Sequence, residues 1–253
     1  STLMLAGIRE ILIISTARDL PMIESLMGDG SKLGLKFEYR VQDQPRGIAE
    51  AFLIGENFIA DQPVALILGD NLFYGHELTQ LLERASGLTK GAQVFAYHVT
   101  NPQAYGVVEF DELGKAISLE EKPKTPKSNW AVTGLYFYDG SVSAHARSLK
   151  PSARGELEIT DLNRLYLQKS QLEVKTLGRG VAWLDTGTPE TLITSSQFVQ
   201  TIEERQGWKI ACLEEIAMDM GYITPLQVYE QAASLGKNQY GAYLTRISAE
   251  RMK

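Results

Sequence analysis

The stretch "VALILGDNLFYGHEL" (residues 64–78) holds the features that decide the fold. Its first part, 64–68, is a continuous apolar run of the buried-strand type, and apolar residues between Leu78 and Ala85 repeat at the spacing of one helix face. Asp70 stands between them, where the strand meets its turn. A buried strand followed by an amphipathic helix is the repeating unit of α/β proteins, in which ligands bind at the carboxyl ends of the strands.

Similar runs extend this pattern in both directions along the chain. Strands are predicted at 9–16, 36–42, 64–68, 93–99, 105–110, 116–121, 132–138, 172–178 and 181–185. Helices are predicted at 48–59, 78–85, 141–149 and 159–168. Because strands and helices alternate, we expect an α/β fold with a Rossmann-like mixed, mostly parallel sheet flanked by helices. The strands between 93 and 138 have little helix between them, which predicts an antiparallel extension with a hairpin turn at 110–115.

The C-terminal part of the chain is predicted to be helical. Thr188–Pro189 and Thr224–Pro225 each have the form of an N-cap followed by proline at the first helical position. Gly236 stands where a glycine would end the second of these helices. We therefore expect two parts, an α/β core at 1–188 and a helical appendage at 189–253 that serves packing or oligomerisation.

Composition limits the classes of function. The 253 residues carry a formal net charge of −6 with no dense run of Lys or Arg, so nucleic acid is not expected as a partner. Cys212 is the only cysteine, which excludes a disulfide framework and fits a reducing, cytoplasmic location. No apolar stretch is long enough to span a membrane, and the first residues lack the features of a signal peptide.

Two aspartates follow apolar runs in similar settings. Asp70 precedes Asn71, and Asp185 follows "VAWL" and precedes Thr-Gly. If the two strand ends are neighbours, the carboxylates could hold one Mg²⁺, an ion that takes one or two protein carboxylates and completes its shell with water and phosphate oxygens. The alternative is that each aspartate only closes a turn.

Two further segments combine charges that suit a phosphorylated, hydroxylated ligand. In "SLEEKPK" (118–124), Glu121 could accept hydrogen bonds from hydroxyl groups and Lys122 could contribute a positive point charge. "SARGELEITD" (152–161) places Arg154 in a loop before a helix, where it could bind phosphate. The alternatives are a solvated charge cluster and a surface arginine.

Eight segments, taken in order, resemble the bacterial glucose-1-phosphate thymidylyltransferases over essentially the whole chain. They are "Q-x-x-P-x-G-x-A-x-A-F" (42–52), "LGDN-x-FYGH" (68–76), "YGVVEFD" (105–111), "LEEKP" (119–123), "AVTGLYFYD" (131–139), "SARGELEITD" (152–161), "AWLDTGT" (182–188) and "TIEERQG" (201–207). Single segments are weakly specific, whereas the ordered set is highly specific.

The resemblance implies an activity and partners. Enzymes of this family make dTDP-glucose and pyrophosphate from dTTP and glucose 1-phosphate by in-line attack of the sugar phosphate on the α-phosphorus, with Mg²⁺ as cofactor. The expected ligands are therefore dTTP, glucose 1-phosphate and a dTDP-sugar as product or feedback ligand. The family also implies a homotetramer in the cytoplasm. Within the same class, a preference for UTP over dTTP remains an alternative.

The resemblance also implies roles for residues on the nucleotide side. Asp70 and Asp185 match the two metal-binding aspartates, and Asp70 is thereby part of the nucleotide site. Gln42 matches the residue that hydrogen-bonds thymine. Gly47 matches the position where the backbone approaches the base, which only glycine allows at low cost.

On the sugar side, the resemblance implies a second set of residues. Glu121 matches the acceptor for sugar hydroxyl groups, and Lys122 and Arg154 match the catalytic cations for the sugar phosphate. The full set implied to bind the sugar is Gly106, Glu121, Lys122, Val132 and Tyr136.

The sequence departs from the family pattern at two places. The family has a strand and a glycine-rich G-G-x-G-T-R-L loop before the position that matches Ser1, so the core is expected to be truncated at its front. A chain that truly began at Ser1 is expected to bind dTDP-sugars with at most trace turnover. Arg46 stands where many relatives carry an acid, and it is expected to touch none of the family's ligand contacts.

Overall fold

The computed structural model describes residues 1–253. The strands are Glu10–Ser15 (β1), Lys36–Val41 (β2), Val64–Ile67 (β3), Asn71–Gly75 (β4), Ala92–His98 (β5), Gly106–Phe110 (β6), Ala116–Glu121 (β7), Trp130–Tyr138 (β8), Leu172–Thr176 (β9) and Val181–Asp185 (β10). The α-helices are Thr2–Leu5 (α1), Leu20–Met27 (α2), Ala51–Ile54 (α3), Glu56–Ile59 (α4), Leu78–Ser86 (α5), Val142–Ser148 (α6), Ile159–Gln168 (α7), Pro189–Gln206 (α8), Leu213–Asp219 (α9), Pro225–Ser234 (α10) and Gln239–Arg251 (α11). Short 3₁₀ turns occupy Ser31–Leu33, Ile48–Glu50 and Pro102–Ala104.

The largest sheet is built around β8. This strand runs antiparallel to β5 along one edge, and its other edge pairs antiparallel with β3 and with β6. β7 pairs with β6 through the predicted hairpin, and β9 pairs with β5, so that the sheet has six strands. Two smaller sheets consist of the parallel pair β1–β2 and the antiparallel pair β4–β10.

The α/β class, the mixed sheets and the C-terminal helices are confirmed, but the prediction of a mostly parallel sheet is wrong. Only β1–β2 and β5–β9 are parallel, and the other five strand pairings are antiparallel. A continuous apolar run reports burial on both faces and carries no information on strand direction. The segment predicted as an antiparallel extension contains β5 and β8, which form the middle of the sheet.

β4 is a strand that was not predicted from the sequence. It follows the turn at Asp70, and Asn71 donates its backbone N–H to the Leu68 carbonyl at 3.1 Å as the chain leaves β3. β4 then pairs with β10 so that Asn71 lies opposite Asp185. This pairing brings the two strand-end aspartates to one edge of the molecule.

Three groups of buried apolar residues hold the layers together. On one face of the large sheet, α3, α6 and α7 pack side chains such as Phe52, Leu162 and Tyr166. On the other face, α5 and the β4–β10 pair contribute residues such as Leu82 and Trp183. The third group joins α9, α10 and α11 to α1 and to the residue before β2, through the side chains of Met4, Leu35, Val228, Leu244 and Ile247.

The helix predicted at 48–59 is divided into a 3₁₀ turn, α3 and α4, so this prediction is wrong in its continuity. The break falls at Gly55, where an added Cβ would lie 3.0 Å from Leu12 Cδ2 of β1. The apolar stripe persists across the break because Phe52 and Ile59 are buried, whereas Ile48 is 36% exposed and lies outside the core. Apolar spacing therefore located the buried face correctly and missed the local break.

The predicted helix caps in the C-terminal part are confirmed. Thr188 accepts from the Thr191 backbone N–H at 3.2 Å, and Thr224 accepts from the Gln227 N–H at 3.3 Å, each within a capping box. Gly236 follows α10 with φ of 72°, a left-handed conformation that favours glycine. None of the helices combines the length and the apolar character needed to cross a bilayer.

Candidate active site

Asp70 and Asp185 meet at the end of the β4–β10 pair. Thr186 donates from its backbone N–H at 2.8 Å and from its hydroxyl at 2.9 Å to the backbone carbonyl of Asp70. A Cβ on Gly187 would lie 3.0 Å from Asp185 Oδ1 and 3.2 Å from Asp70 Oδ2. The two carboxylates therefore face the same small space, and they are no farther apart than the sum of those two distances.

Asn71 holds Asp70 in place. Its Nδ2 donates to Asp70 Oδ1 at 2.8 Å, while its own Oδ1 accepts from Trp183 Nε1 at 2.6 Å and from the Gly134 N–H at 3.1 Å. A Cβ on Gly134 would lie 2.6 Å from Asn71 Oδ1, so the absence of a side chain there makes this contact possible. One amide thus connects β4 to β8 and β10 and orients the first aspartate.

The carboxylate pair has the donor chemistry that suits Mg²⁺. Asp70 Oδ1 accepts from Asn71 and Asp185 Oδ1 accepts from the Gly187 N–H at 2.7 Å, which leaves a second oxygen on each carboxylate. Two negative charges at this separation repel each other unless a cation lies between them. No third Asp, Glu, His or Cys joins them in a metal-binding group, so water and a ligand would supply the remaining oxygens, as is usual for Mg²⁺.

Glu121 and Gly106 lie opposite each other at the ends of β7 and β6. Glu121 Oε2 accepts from the Thr160 hydroxyl at 2.5 Å. A Cβ on Gly106 would lie 2.8 Å from that hydroxyl oxygen and 3.4 Å from Glu121 Oε2. The missing side chain at Gly106 therefore makes room for the Thr160 hydroxyl next to the Glu121 carboxylate.

Arg154 lies among three carboxylates. It donates from Nε and Nη2 to Glu158 at 3.2 and 2.8 Å, and its Nη2 lies 3.4 Å from Glu156 and 3.7 Å from Glu121. Glu158 is buried, whereas Arg154 is exposed. The buried carboxylate thus anchors the guanidinium beside Glu121, and the other side of the guanidinium faces solvent.

Lys122 follows Glu121 in an unusual backbone conformation. Its φ of 42° is in the left-handed region that non-glycine residues seldom adopt. Its backbone N–H donates to the Tyr105 carbonyl at 3.0 Å, which fixes the bend. The pKa of Glu158 is lowered by Arg154 and Ser152 against the effect of burial, and the charge of Lys122 adds a smaller contribution in the same direction.

Val132 and Tyr136 lie on one face of β8 and are buried. Burial, together with the negative charges of Glu121 and Asp70, raises the pKa of Tyr136 above its ordinary value. Glu121 of the predicted sugar residues and Asp70 of the aspartate pair are thus the two charges that act on the Tyr136 hydroxyl.

The loop that contains Gly47 is joined to the loop before α7 through Leu157. Leu157 donates its N–H to the Arg46 carbonyl at 2.7 Å, and its carbonyl accepts from the Ala49 N–H at 3.2 Å. Gly47 has φ of 102°, and a Cβ there would lie 2.4 Å from the Leu157 carbonyl oxygen. Glycine is therefore required at this position by the fold itself.

Gln42 and Arg46 meet on the buried carboxylate of Glu50. Gln42 Nε2 donates to Glu50 Oε2 at 2.7 Å, and Arg46 Nε donates to Glu50 Oε1 at 2.6 Å. The side chain of Glu50 is 8% exposed and that of Arg46 is 55% exposed. Arg46 does not contact Gln42 itself, but the two side chains share one acceptor, a connection that was not predicted from the sequence.

Five residues that hold the predicted site residues in place were not predicted from the sequence. They are Glu50, Asn71, Glu158, Thr160 and Trp183. Glu50 and Glu158 had a usable signal, because each follows an arginine by four residues. The other three act through contacts between distant segments, for which the sequence offers no spacing rule.

Replacing Glu158 with glutamine is expected to lower the melting temperature at pH 7 and to have little effect at acidic pH. Burial by itself favours the neutral acid, but the Arg154 guanidinium and the Ser152 hydroxyl outweigh it and hold the pKa of Glu158 below its ordinary value. A lowered pKa contributes stability above the unfolded value, about 4.3, and that contribution disappears as pH falls through the folded value.

Thermal melts of the wild type and of Glu158→Gln at pH values from 7 to 3 test this expectation. The half-exposed neighbour Glu156, changed to glutamine, is the matched control and should show a smaller difference at pH 7. A difference between wild type and Glu158→Gln that stays constant over the whole pH range would contradict the assignment.

Comparison with known proteins gives a consistent result. The chain matches the family model described as nucleotidyl transferase over residues 1–202. It is 55% identical to the glucose-1-phosphate thymidylyltransferase of Neisseria meningitidis, over 98% of this chain and 86% of that protein. It is also 55% identical to the protein of the same name from Mycolicibacterium smegmatis, over 98% of this chain and 85% of that protein.

Solved structures agree with these relatives. A Bacillus anthracis protein whose crystal structure, in complex with sucrose, carries the name of a glucose-1-phosphate thymidylyltransferase superposes with a TM-score of 0.71 at 38% identity, over 78% of each chain. UDP-glucose pyrophosphorylase complexed with UDP-glucose superposes with a TM-score of 0.64 at 24% identity, over 79% of this chain and 84% of that one, which supports the fold alone. With a family model that matches most of its length and relatives that share more than half of its residues, the chain belongs to the nucleotidyl transferase family.

Proposed function

We propose that the protein is a glucose-1-phosphate thymidylyltransferase, which makes dTDP-glucose and pyrophosphate from dTTP and glucose 1-phosphate. The names of the relatives that are 55% identical support this activity. Two observations in the structure support the proposal: the carboxylates of Asp70 and Asp185 face one small space, and the Glu121 carboxylate lies 3.7 Å from Arg154 Nη2.

On the nucleotide side, Gln42 binds the thymine and Gly47 allows the backbone to approach the base. Gln42 is half-buried, and its carbonyl oxygen Oε1 has no hydrogen-bond partner in the protein, so it is available to a ligand. Asp70 and Asp185 would hold Mg²⁺ against the phosphates of the nucleotide. Bound there, the ion supplies charge neutralisation as a Lewis acid.

On the sugar side, Glu121 accepts hydrogen bonds from sugar hydroxyl groups, and the backbone of Gly106 lies beside it. Lys122 and Arg154 bind the phosphate of glucose 1-phosphate, and Val132 and Tyr136 line the sugar pocket. Arg154 contributes a planar fork of donors, which matches the geometry of phosphate oxygens. Because Glu158 already occupies one side of the guanidinium, the phosphate approaches from the exposed side.

The reaction requires positioning and charge neutralisation more than proton transfer. A phosphate oxygen of glucose 1-phosphate attacks the α-phosphorus of dTTP, a P–O bond forms there, and the bond to the leaving pyrophosphate breaks. The attacking oxygen is already ionised at neutral pH, so no general base is needed. Lys122 and Arg154 reduce the repulsion between the two anionic substrates and hold the attacking oxygen in line.

The proposal is tested by measuring pyrophosphate release with glucose 1-phosphate and Mg²⁺, using dTTP or UTP at equal concentrations. We expect release with dTTP to exceed that with UTP, and no release when glucose 1-phosphate is omitted. A preference for UTP would assign a uridylyltransferase instead. If dTDP-glucose raised the melting temperature while no nucleotide released pyrophosphate, the protein would be a binding module.

A further inference from the structure

We propose that Glu50, held by Arg46, is a positioning residue that fixes the orientation of the Gln42 amide and thereby selects nucleotides whose base carries an imide N–H. The inference rests on the proposed function, which assigns Gln42 to the base. It adds a determinant of base selectivity that lies outside the residues expected to touch the nucleotide.

The geometry decides which end of the Gln42 amide faces the protein. Two acceptors converge on the same terminal atom of Gln42: Glu50 Oε2 at 2.7 Å and the Gly47 carbonyl oxygen at 3.4 Å. An ionised carboxylate and a backbone carbonyl can only accept hydrogen bonds, so the atom between them must be the NH₂ group. The opposite orientation would place the amide oxygen against two other oxygens.

The Glu50 carboxylate is buried and is held by two hydrogen bonds. Its side chain is only 8% exposed, and its two oxygens are divided between Gln42 and Arg46. The Arg46 guanidinium lies 2.6 Å from Oε1 and offsets the cost of burying the negative charge. Arg46 therefore holds the Glu50 carboxylate in place, and Glu50 keeps the NH₂ group of Gln42 turned inward.

With its NH₂ group turned inward, Gln42 presents Oε1, an acceptor, to the ligand. Thymine and uracil carry an N–H donor at N3, which complements this oxygen. Cytosine carries an acceptor at the same position, so it would meet Oε1 with like partial charge and leave both groups without a partner. A site that fixes the direction of a hydrogen bond rejects the mismatched ligand strongly, because its buried polar groups are left unpaired.

The test compares kcat/KM for dTTP, UTP and dCTP in the wild type and in Glu50→Gln. A glutamine at 50 can donate as well as accept, so both orientations of Gln42 become possible. We expect the dTTP-to-dCTP ratio to fall by about tenfold, mainly through a higher KM for dTTP with kcat little changed. The dTTP-to-UTP ratio should stay as it is, because both bases carry the imide N–H.

Glu56→Gln is the matched control. It makes the same chemical change in the neighbouring helix α4, at an exposed side chain that pairs with Arg147. All three nucleotides should behave as in the wild type. If Glu50→Gln does not fold, Arg46→Gln replaces an exposed side chain and is expected to lower the dTTP-to-dCTP ratio by about threefold, because Glu50 loses the charge-assisted hydrogen bond that holds its carboxylate in place.

Pyrophosphate release from dTTP tests the proposed function, whereas the dTTP-to-dCTP ratio tests the role of Glu50. If the wild type releases no pyrophosphate from dTTP, the proposed function is wrong. If the wild type prefers dTTP to dCTP and a folded Glu50→Gln or Arg46→Gln protein keeps the same ratio, the proposed function stands and the role of Glu50 is overturned. A loss of kcat for all three nucleotides in parallel, with an unchanged ratio, would likewise show that Glu50 serves only the fold.

Discussion

Asp185→Asn is expected to slow pyrophosphate release from dTTP by at least about a hundredfold, the range found when a group that stabilises transition-state charge is removed. The asparagine keeps an oxygen that can accept from the Gly187 N–H, which lies 2.7 Å from Asp185 Oδ1. The loop that carries it should therefore keep its shape. What is lost is one of the two negative charges that face the common space with Asp70.

Stability should respond to this substitution in the opposite direction from activity. In the absence of a cation, removing one of two repelling carboxylates leaves the melting temperature unchanged or slightly higher. Mg²⁺, which should raise the melting temperature of the wild type by binding the folded state, should lose most of that effect in Asp185→Asn. The magnesium titration thus gives a readout that does not depend on turnover.

Asp219→Asn provides the matched control for this experiment. Asp219 is 44% exposed and pairs with Arg251 on the distant face of α9 and α11. Surface pairs of this kind contribute little to stability, so activity and the magnesium response should both be retained. Equal turnover in Asp185→Asn and wild type would remove Asp185 from the site.

Gly47→Ala should lower the free energy of unfolding by about 3 kcal/mol, the combined effect of a disfavoured backbone conformation and a steric overlap. The φ of 102° is strained for alanine, and the new Cβ would lie 2.4 Å from the Leu157 carbonyl oxygen and 2.6 Å from its nitrogen. For a chain of this size, that loss corresponds to a fall in melting temperature of about 6–12 °C.

The nucleotide affinity of Gly47→Ala should fall together with its stability. The loop avoids the overlap by moving away from Leu157. This movement displaces Gln42, whose Nε2 donates to the Gly47 carbonyl, and Glu50, which accepts from the same Nε2. Binding of dTDP-glucose, followed by calorimetry at a temperature where the variant is folded, should therefore be weaker than in the wild type.

Gly207→Ala measures the cost of a positive φ without a steric overlap. Gly207 ends α8 with φ of 70°, and no heavy atom would lie within 4 Å of its added Cβ. This left-handed conformation (φ 70°, ψ 12°) is less strained for alanine than that of Gly47 (φ 102°, ψ 162°), so Gly207→Ala should lose about 1 kcal/mol. If Gly47→Ala lost no more stability than Gly207→Ala, the contact with Leu157 would not be the reason for glycine at 47.

Several of the predicted site residues lie at recognisable points of the chain, although the roles assigned to them stay predictions. Asp70 follows β3 and Asp185 ends β10, whereas Glu121 ends β7, and Lys122 and Arg154 stand next to Pro123 and Gly155. Most of the secondary structure followed from periodicity and caps, and the exceptions were β4, the break at Gly55 and the helices α1 and α2, which were not predicted. Apolar spacing reports which face is buried, and it does not report a local break in a helix or a short strand with mixed polarity.

Only the tertiary structure decided which strands pair and which side chains contact the predicted site residues. Strand direction in the large sheet depends on β8, which pairs with three partners far away in the chain, and no local pattern encodes such pairings. The same holds for the supporting contacts of Asn71, which reaches Gly134 and Trp183. The sequence by itself therefore determined the α/β class and the residue types at the site. Only the folded chain decided which atoms of those residues are free to meet a ligand, because a hydrogen bond depends on distance and direction in space and not on separation along the chain.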